Sequence, residues 1–237
     1  LNAALWGSFT GLAILTKGPT ALLIVGLVVA IAYIPSLLQL INIKSRYLKS
    51  PPLFNLRLTD ILLFFLFTII IGGSWFLVQI MSGHADMVVK FILYQVRLFT
   101  IPDAGHGGHW SYHFLVLLIG VFPASLFALM RFRIPSAQPA DQRRFRSIML
   151  ILFWVVLILF TIVKTKIVHY SSLCYLPLTF LAAAAINDLL NGTLKWRKWL
   201  SALLLFFAAL FSALVAAVPF IEKYKARIIE SGIIKDD

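Results

Sequence analysis

Residues 163–170 read "VKTKIVHY", two lysines, a histidine and a tyrosine between runs that are almost purely apolar. A charge near hydrocarbon is costly, so cations retained there imply something to hold. If the stretch is helical, Lys166 and Tyr170 stand one turn apart with His169 beside them. Lysine offers charge, while a phenol and an imidazole offer hydrogen bonds, and the combination suits a phosphate. Side chains snorkelling from helix ends into head groups are the plainer explanation for any single lysine. They explain less well a set that also includes Lys17, Lys90, Arg97 and Lys164.

Other arrangements are weaker. His106, His109 and His113 have spacings of three and four, which would align on a helix and suggest a metal. Gly107 and Gly108 oppose a helix there, and only Asp103 is near enough to complete a shell. Polar loop histidines beside an interfacial Trp110–Tyr112 pair are the favoured account. Asp86 and Asp103 are the acids of the outer loops between spans. Either could act as a general base, or be solvated or paired with a neighbour such as Lys90. No close acid pair, glycine-rich phosphate loop or Ser-His-Asp arrangement is evident. Cys174 lies in an apolar run and reads as packing.

The elements that must position these groups follow from hydropathy. The chain is 61% hydrophobic, with a mean hydropathy of +0.94, well above the roughly 45–50% apolar content of soluble domains. Segments 61–81 and 200–221 carry no charge, and about 20 such residues cross a bilayer core of about 30 Å. The expected fold is all-α: a polytopic transmembrane bundle of about seven spans, near 1–16, 19–41, 60–81, 111–130, 147–163, 171–189 and 200–220. Pro19 suits a first helical turn, while Pro123 and Pro177 are expected to kink their helices. The small residues at 72–73 and 182–185 suit helix packing. The chain opens at Leu1 inside an apolar run, so it is expected to be a fragment. Residues 1–221 form the membrane region and 222–237 an outer-face tail.

A net charge of +12 concentrates between the spans, which fits loop topology and lipid head groups; no nucleic-acid motif is present. Loops 42–57, 131–146 and 191–199 are rich in cations and are assigned to the cytoplasm. Residues 16–19, 82–110, 164–170 and the tail then lie outside, and all five histidines fall on or near that face. Within the outer loop, Val88, Phe91, Ile92, Val96 and Phe99 share one helical face, interrupted by Gln95. Asp86, Lys90, Tyr94 and Arg97 share the other, as in a helix lying in the interface.

Four blocks in order, "GLAILTKGP" (11–19), "VRLF" (96–99), "HGGHWSYHFLVLLIGVFP" (106–123) and "IVKTKIVHYSSLCYLPLTFLAAAAI" (162–186), carry a resemblance. The chain resembles the membrane glycosyltransferases that include protein O-mannosyltransferases and the lipid A aminoarabinose transferase. The Lys-Thr-Lys block is the most specific part. The resemblance implies a C-type glycosyltransferase fold, a polyprenyl-phosphate-sugar donor, and a lipid, glycan or protein acceptor at the outer face of the cytoplasmic membrane. It implies lipid-phosphate binding by Arg97, Lys164, Lys166 and Lys17, with His169 and Tyr170 in support. No cofactor is assigned, and a divalent metal is left open. Relatives often carry a histidine shortly before the outer-loop arginine, where this chain has Tyr94-Gln95-Val96-Arg97. The family's catalytic acid sits in an outer loop that would precede Leu1, so the fragment alone is expected to be inactive.

Two rivals belong to other classes. A transporter or flippase of a lipid-linked anion would favour ionisable groups at mid-membrane and paired broken helices. A non-catalytic membrane scaffold would not need His, Lys and Arg concentrated on one side.

Overall fold

The computed structural model describes residues 2–40, 57–101, 107–132 and 139–223, and these are helical with no strand among them. The chain divides into two compact units, Leu1–Ala183 and Ala184–Asp237. The first contains α1 (Asn2–Lys17), α2 (Thr20–Leu40), α3 (Leu58–Gly72), α4 (Ser74–Met81), α5 (Ala85–Thr100), α6 (Tyr112–Gly120), α7 (Ala124–Leu129) and α8 (Ala140–Ile162). A 3-10 turn, Val168–Cys174, leads into α9 (Tyr175–Leu190), which runs on into the second unit; α10 is Lys198–Lys223.

Seven spans are not supported. Among the described residues three helices are long and apolar enough to cross a membrane: Asp141–Ile162, Val168–Leu190 and Lys198–Phe220. A fourth is possible if α3 and α4, which meet at a 46° bend, count as one broken span. The shortfall has local causes. α2 counts only as a shorter apolar helix, over Thr20–Ile34, and the sixteen residues of α1 extend only about 24 Å at 1.5 Å per residue. The expected span 111–130 is cut into α6 and α7 by Pro123, which has no N–H to donate. The Ile119 carbonyl, which Pro123 would have served, accepts from the Phe122 N–H at 3.2 Å, and the Leu118 carbonyl accepts from Ser125 Oγ at 2.7 Å. Pro177 does not kink a helix; it sits in the first turn of α9, where a missing N–H costs little. The cationic loop 131–146 is also shorter than expected, since α8 begins at Ala140 and its first two turns carry Arg143, Arg144 and Arg146. Loop 42–57 lies, except for Arg57, outside the described residues, as do 133–138 and the tail from 224.

The first unit is organised about α8. Phe153, Val156, Leu157 and Phe160 are buried with Ile24 and Val28 of α2, Leu117 of α6, and Leu178 and Leu181 of α9. Cys174 lies in this core with its thiol 3.6 Å from the Phe153 carbonyl, as the packing interpretation requires. The α1–α3 crossing is close because Gly7 and Gly11 face it. A Cβ on Gly7 would run into the Phe64 carbonyl, and one on Gly11 would lie 2.9 Å from the Gly72 nitrogen. Thr68 Oγ1 donates across to the Gly7 carbonyl at 3.2 Å. Small residues spaced by four let backbones approach where apolar helices gain little from hydrophobicity itself.

Candidate functional site

The sequence "TKGP" makes a sharp corner. Gly18 takes φ +69 and its N–H donates to the Ile14 carbonyl at 2.8 Å, a left-handed helix end that glycine adopts without Cβ strain. Pro19 directly precedes α2. The corner leaves Lys17 in the last turn of α1, exposed, where a cation is also favoured by the helix dipole.

Against this corner stands α5. Its packed face is not the one expected from periodicity. Val88 is buried and Phe91, Gln95, Leu98 and Phe99 are half-buried, whereas Ile92 and Val96 are 44% and 59% exposed. Phe91 packs on Trp75 and Phe76 of α4, with ring centroids 5.8 and 6.0 Å away. Gln95 therefore does not interrupt the inner face; it belongs to it. On the other side Asp86 pairs with Lys90 at 3.0 Å, one turn apart, and that ammonium holds the Asp86 carboxyl below its ordinary range.

The stretch 164–167 is not helical. It is an irregular connection from the end of α8 to the 3-10 turn that carries His169 and Tyr170. Its backbone and side chains are tied to the end of α5. The Lys164 N–H donates to the Phe99 carbonyl at 3.3 Å, and Thr165 Oγ1, fully buried, donates to Ile101 at 3.1 Å. The Tyr170 ring lies 5.0 Å from Phe160 and 5.0 Å from the His169 ring.

These elements enclose a cleft of about 410 Å³ within the first unit. Lys17, Thr20, Gln95, His169, Tyr170 and Ser172 supply its polar groups, and Phe99, Phe160 and Leu173 are among its apolar walls. Of the residues expected from sequence, Lys17, His169 and Tyr170 share this cleft. Arg97 and Lys164 do not line it, but both are exposed and each adjoins a residue that does, Leu98 and Val163. Lys166 is turned elsewhere. It is 6% exposed, and its Nζ donates to the carbonyls of Phe160 at 3.0 Å and Thr161 at 2.6 Å. Burial first, and the neighbouring Lys164 second, lower its pKa from the usual 10.5. Gln95, Thr20 and Ser172 were not singled out from sequence; the signal for Gln95 was a polar residue on an apolar helical face.

The histidines separate. His109 is exposed, with Nδ1 2.9 Å from Ser111 Oγ. His113 is fully buried on α6, and neither ring nitrogen has a hydrogen-bond partner among the described residues. His106 and Asp103 lie outside the described residues. Among the described residues no group of three His, Cys, Asp or Glu side chains is placed to hold a metal.

Comparison with known proteins gives a distant similarity. The chain is 28% identical over 173 residues to an undecaprenyl phosphate-alpha-4-amino-4-deoxy-L-arabinose arabinosyl transferase of Pectobacterium carotovorum subsp. carotovorum (strain PC1). The match covers 68% of this chain and 30% of that relative, so the chain spans under a third of the relative's length. No family model matches, and no solved structure matches.

Proposed function

We propose that the chain belongs to a membrane glycosyltransferase that moves a sugar from a polyprenyl-phosphate donor to an acceptor at the outer face of the cytoplasmic membrane. The observation that carries this reading is the cleft, which unites Lys17, His169 and Tyr170 from segments more than 150 residues apart in sequence. The similarity to an arabinosyl transferase supports the same reaction class.

In such a transfer an acceptor oxygen forms a bond to the anomeric carbon while the bond to the phosphate oxygen breaks. The electron pair departs with polyprenyl phosphate, and the acceptor's proton goes to a base. No carboxylate lines the cleft among the described residues, so the part assigned to this chain is the other half of the reaction. Lys17 in the cleft would neutralise the leaving phosphate, joined in this reading by the exposed Arg97 and Lys164, which are next in sequence to the lining residues Leu98 and Val163. The Tyr170 phenol and His169 imidazole would orient it by hydrogen bonds. Charge stabilisation that grows as the bond breaks accelerates the step, whereas equal binding throughout does not.

The test uses the full-length protein in detergent, where no membrane separates two compartments. It should consume polyprenyl-phosphate-sugar and release polyprenyl phosphate in equal amount with glycosylated acceptor. Lys17→Ala, Arg97→Ala and Lys164→Ala should each lower turnover about ten- to a hundred-fold, the usual effect of losing one charge-assisted contact. Transport of labelled lipid across sealed vesicles, with no covalent turnover in a suitable acceptor extract, would show a transporter instead.

A further inference from the structure

Lys166 is the most enclosed of the cations in this region, and its surroundings are made of backbone. The helix α8 ends at Ile162, so its last carbonyls have no intrahelical donor. Lys166 Nζ supplies two of them, Phe160 and Thr161, at 3.0 and 2.6 Å, where the helix dipole also favours a cation. The stem is covered by the 107–109 segment: a Cβ on Gly108 would sit 3.1 Å from Lys166 Cγ. The two preceding residues are fixed to α5 through Phe99 and Ile101. Residues 164–166 are thus pinned on one side to α5 and on the other to α8. The turn that begins two residues later delivers His169 and Tyr170 to the cleft.

We propose that Lys166 is a positioning residue, a latch that closes the C-terminus of α8 and sets the turn carrying His169 and Tyr170, and that it does not contact the donor phosphate. The inference rests on the transferase reading for its functional consequence. To reach a phosphate, the ammonium would have to abandon two buried carbonyls, each then left without a donor. Lys164, exposed at the neighbouring position, has no such obligation.

A double-mutant cycle in the full-length protein tests this, read as the dissociation constant for polyprenyl phosphate. Groups that act through one another give non-additive losses, whereas independent contacts add. Lys166→Met should weaken binding about tenfold, and should add little to the loss already caused by His169→Ala and Tyr170→Phe together. Lys164→Met should add its full loss to that pair. Additive losses for Lys166→Met and the His169→Ala, Tyr170→Phe pair would overturn the latch. If Lys166→Met does not fold, Lys166→Arg enters the same cycle. It keeps the charge but puts a larger planar group beneath Gly108, so it should still lose binding non-additively; wild-type affinity or additive loss would overturn the latch. A wild-type protein that does not bind polyprenyl phosphate would defeat the transferase reading instead. The latch would then be judged by amine acylation, and Lys166 reacting as fast as Lys164 would end it.

Discussion

At the scale of single residues, the lysines of the Lys-Thr-Lys block look equivalent in sequence and are not equivalent in the fold. Residue type and spacing revealed that cations were concentrated here. They could not reveal which ammonium faces outward, because that depends on where α8 stops and on the 107–109 segment lying over the Lys166 stem. The same holds for Gln95, whose place in the cleft depends on α5 being rotated toward α1 and α4 rather than presenting its most apolar stripe. A direct measurement separates the lysines. With an amine-reactive acylating reagent at pH 8, Lys17 and Lys164 should be modified readily and Lys166 at least about tenfold more slowly, as read by peptide mass spectrometry. The direction of the Lys166 shift sharpens this test. A pKa below 10.5 raises the fraction of free, nucleophilic amine at any lower pH, so protonation cannot account for protection. Slow reaction would therefore report enclosure, and fast reaction would contradict the buried placement.

At the scale of elements, the apolar blocks were legible because a helix in lipid needs a sustained run without charge. The starts of α1, α2 and α10 follow the expected segments closely. What hydropathy could not resolve is interruption: Gly73 between α3 and α4, and Val121 to Pro123 between α6 and α7, leave the apolar character unbroken while ending a helix. Local donors then decide the outcome, as when Ser125 serves the Leu118 carbonyl. The small-residue pattern at 72–73 was legible as a packing surface. Its partner, Gly7 and Gly11 of α1, was not, since nothing in the spacing says which helices meet. The crossing predicts a selective sensitivity. Gly7→Val should force α1 away from Phe64 and strain the Thr68 hydrogen bond, at a cost of about 1–3 kcal/mol typical of overpacking. Gly26→Val on α2, where an added Cβ meets none of the described residues within 4 Å, should leave stability nearly unchanged. Thermal unfolding in detergent compares the two, and an unaltered midpoint for Gly7→Val would refute the close α1–α3 approach.

At the scale of the whole molecule, the question is which side the cleft faces. The ends of α1 and α8 and the C-terminal half of α5 come together at it, and the 107–109 segment lies against Lys166 beside it. Gln142 is exposed at the opposite end of α8, some twenty residues or about 30 Å away along the helix, which matches the thickness of a hydrocarbon core. The arginines that follow Gln142 give that end the cationic character that is retained in the cytoplasm. We therefore expect the cleft to open on the outer side. His109→Cys and Gln142→Cys place single exposed thiols at the two ends, while native Cys174 is fully buried and should stay silent. In intact cells whose outer permeability barrier has been opened, an impermeant maleimide should label His109→Cys. It should label Gln142→Cys only after the cytoplasmic membrane is broken. The reverse pattern would put Lys17, His169 and Tyr170 on the cytoplasmic side, and a donor presented at the outer face could then not reach them.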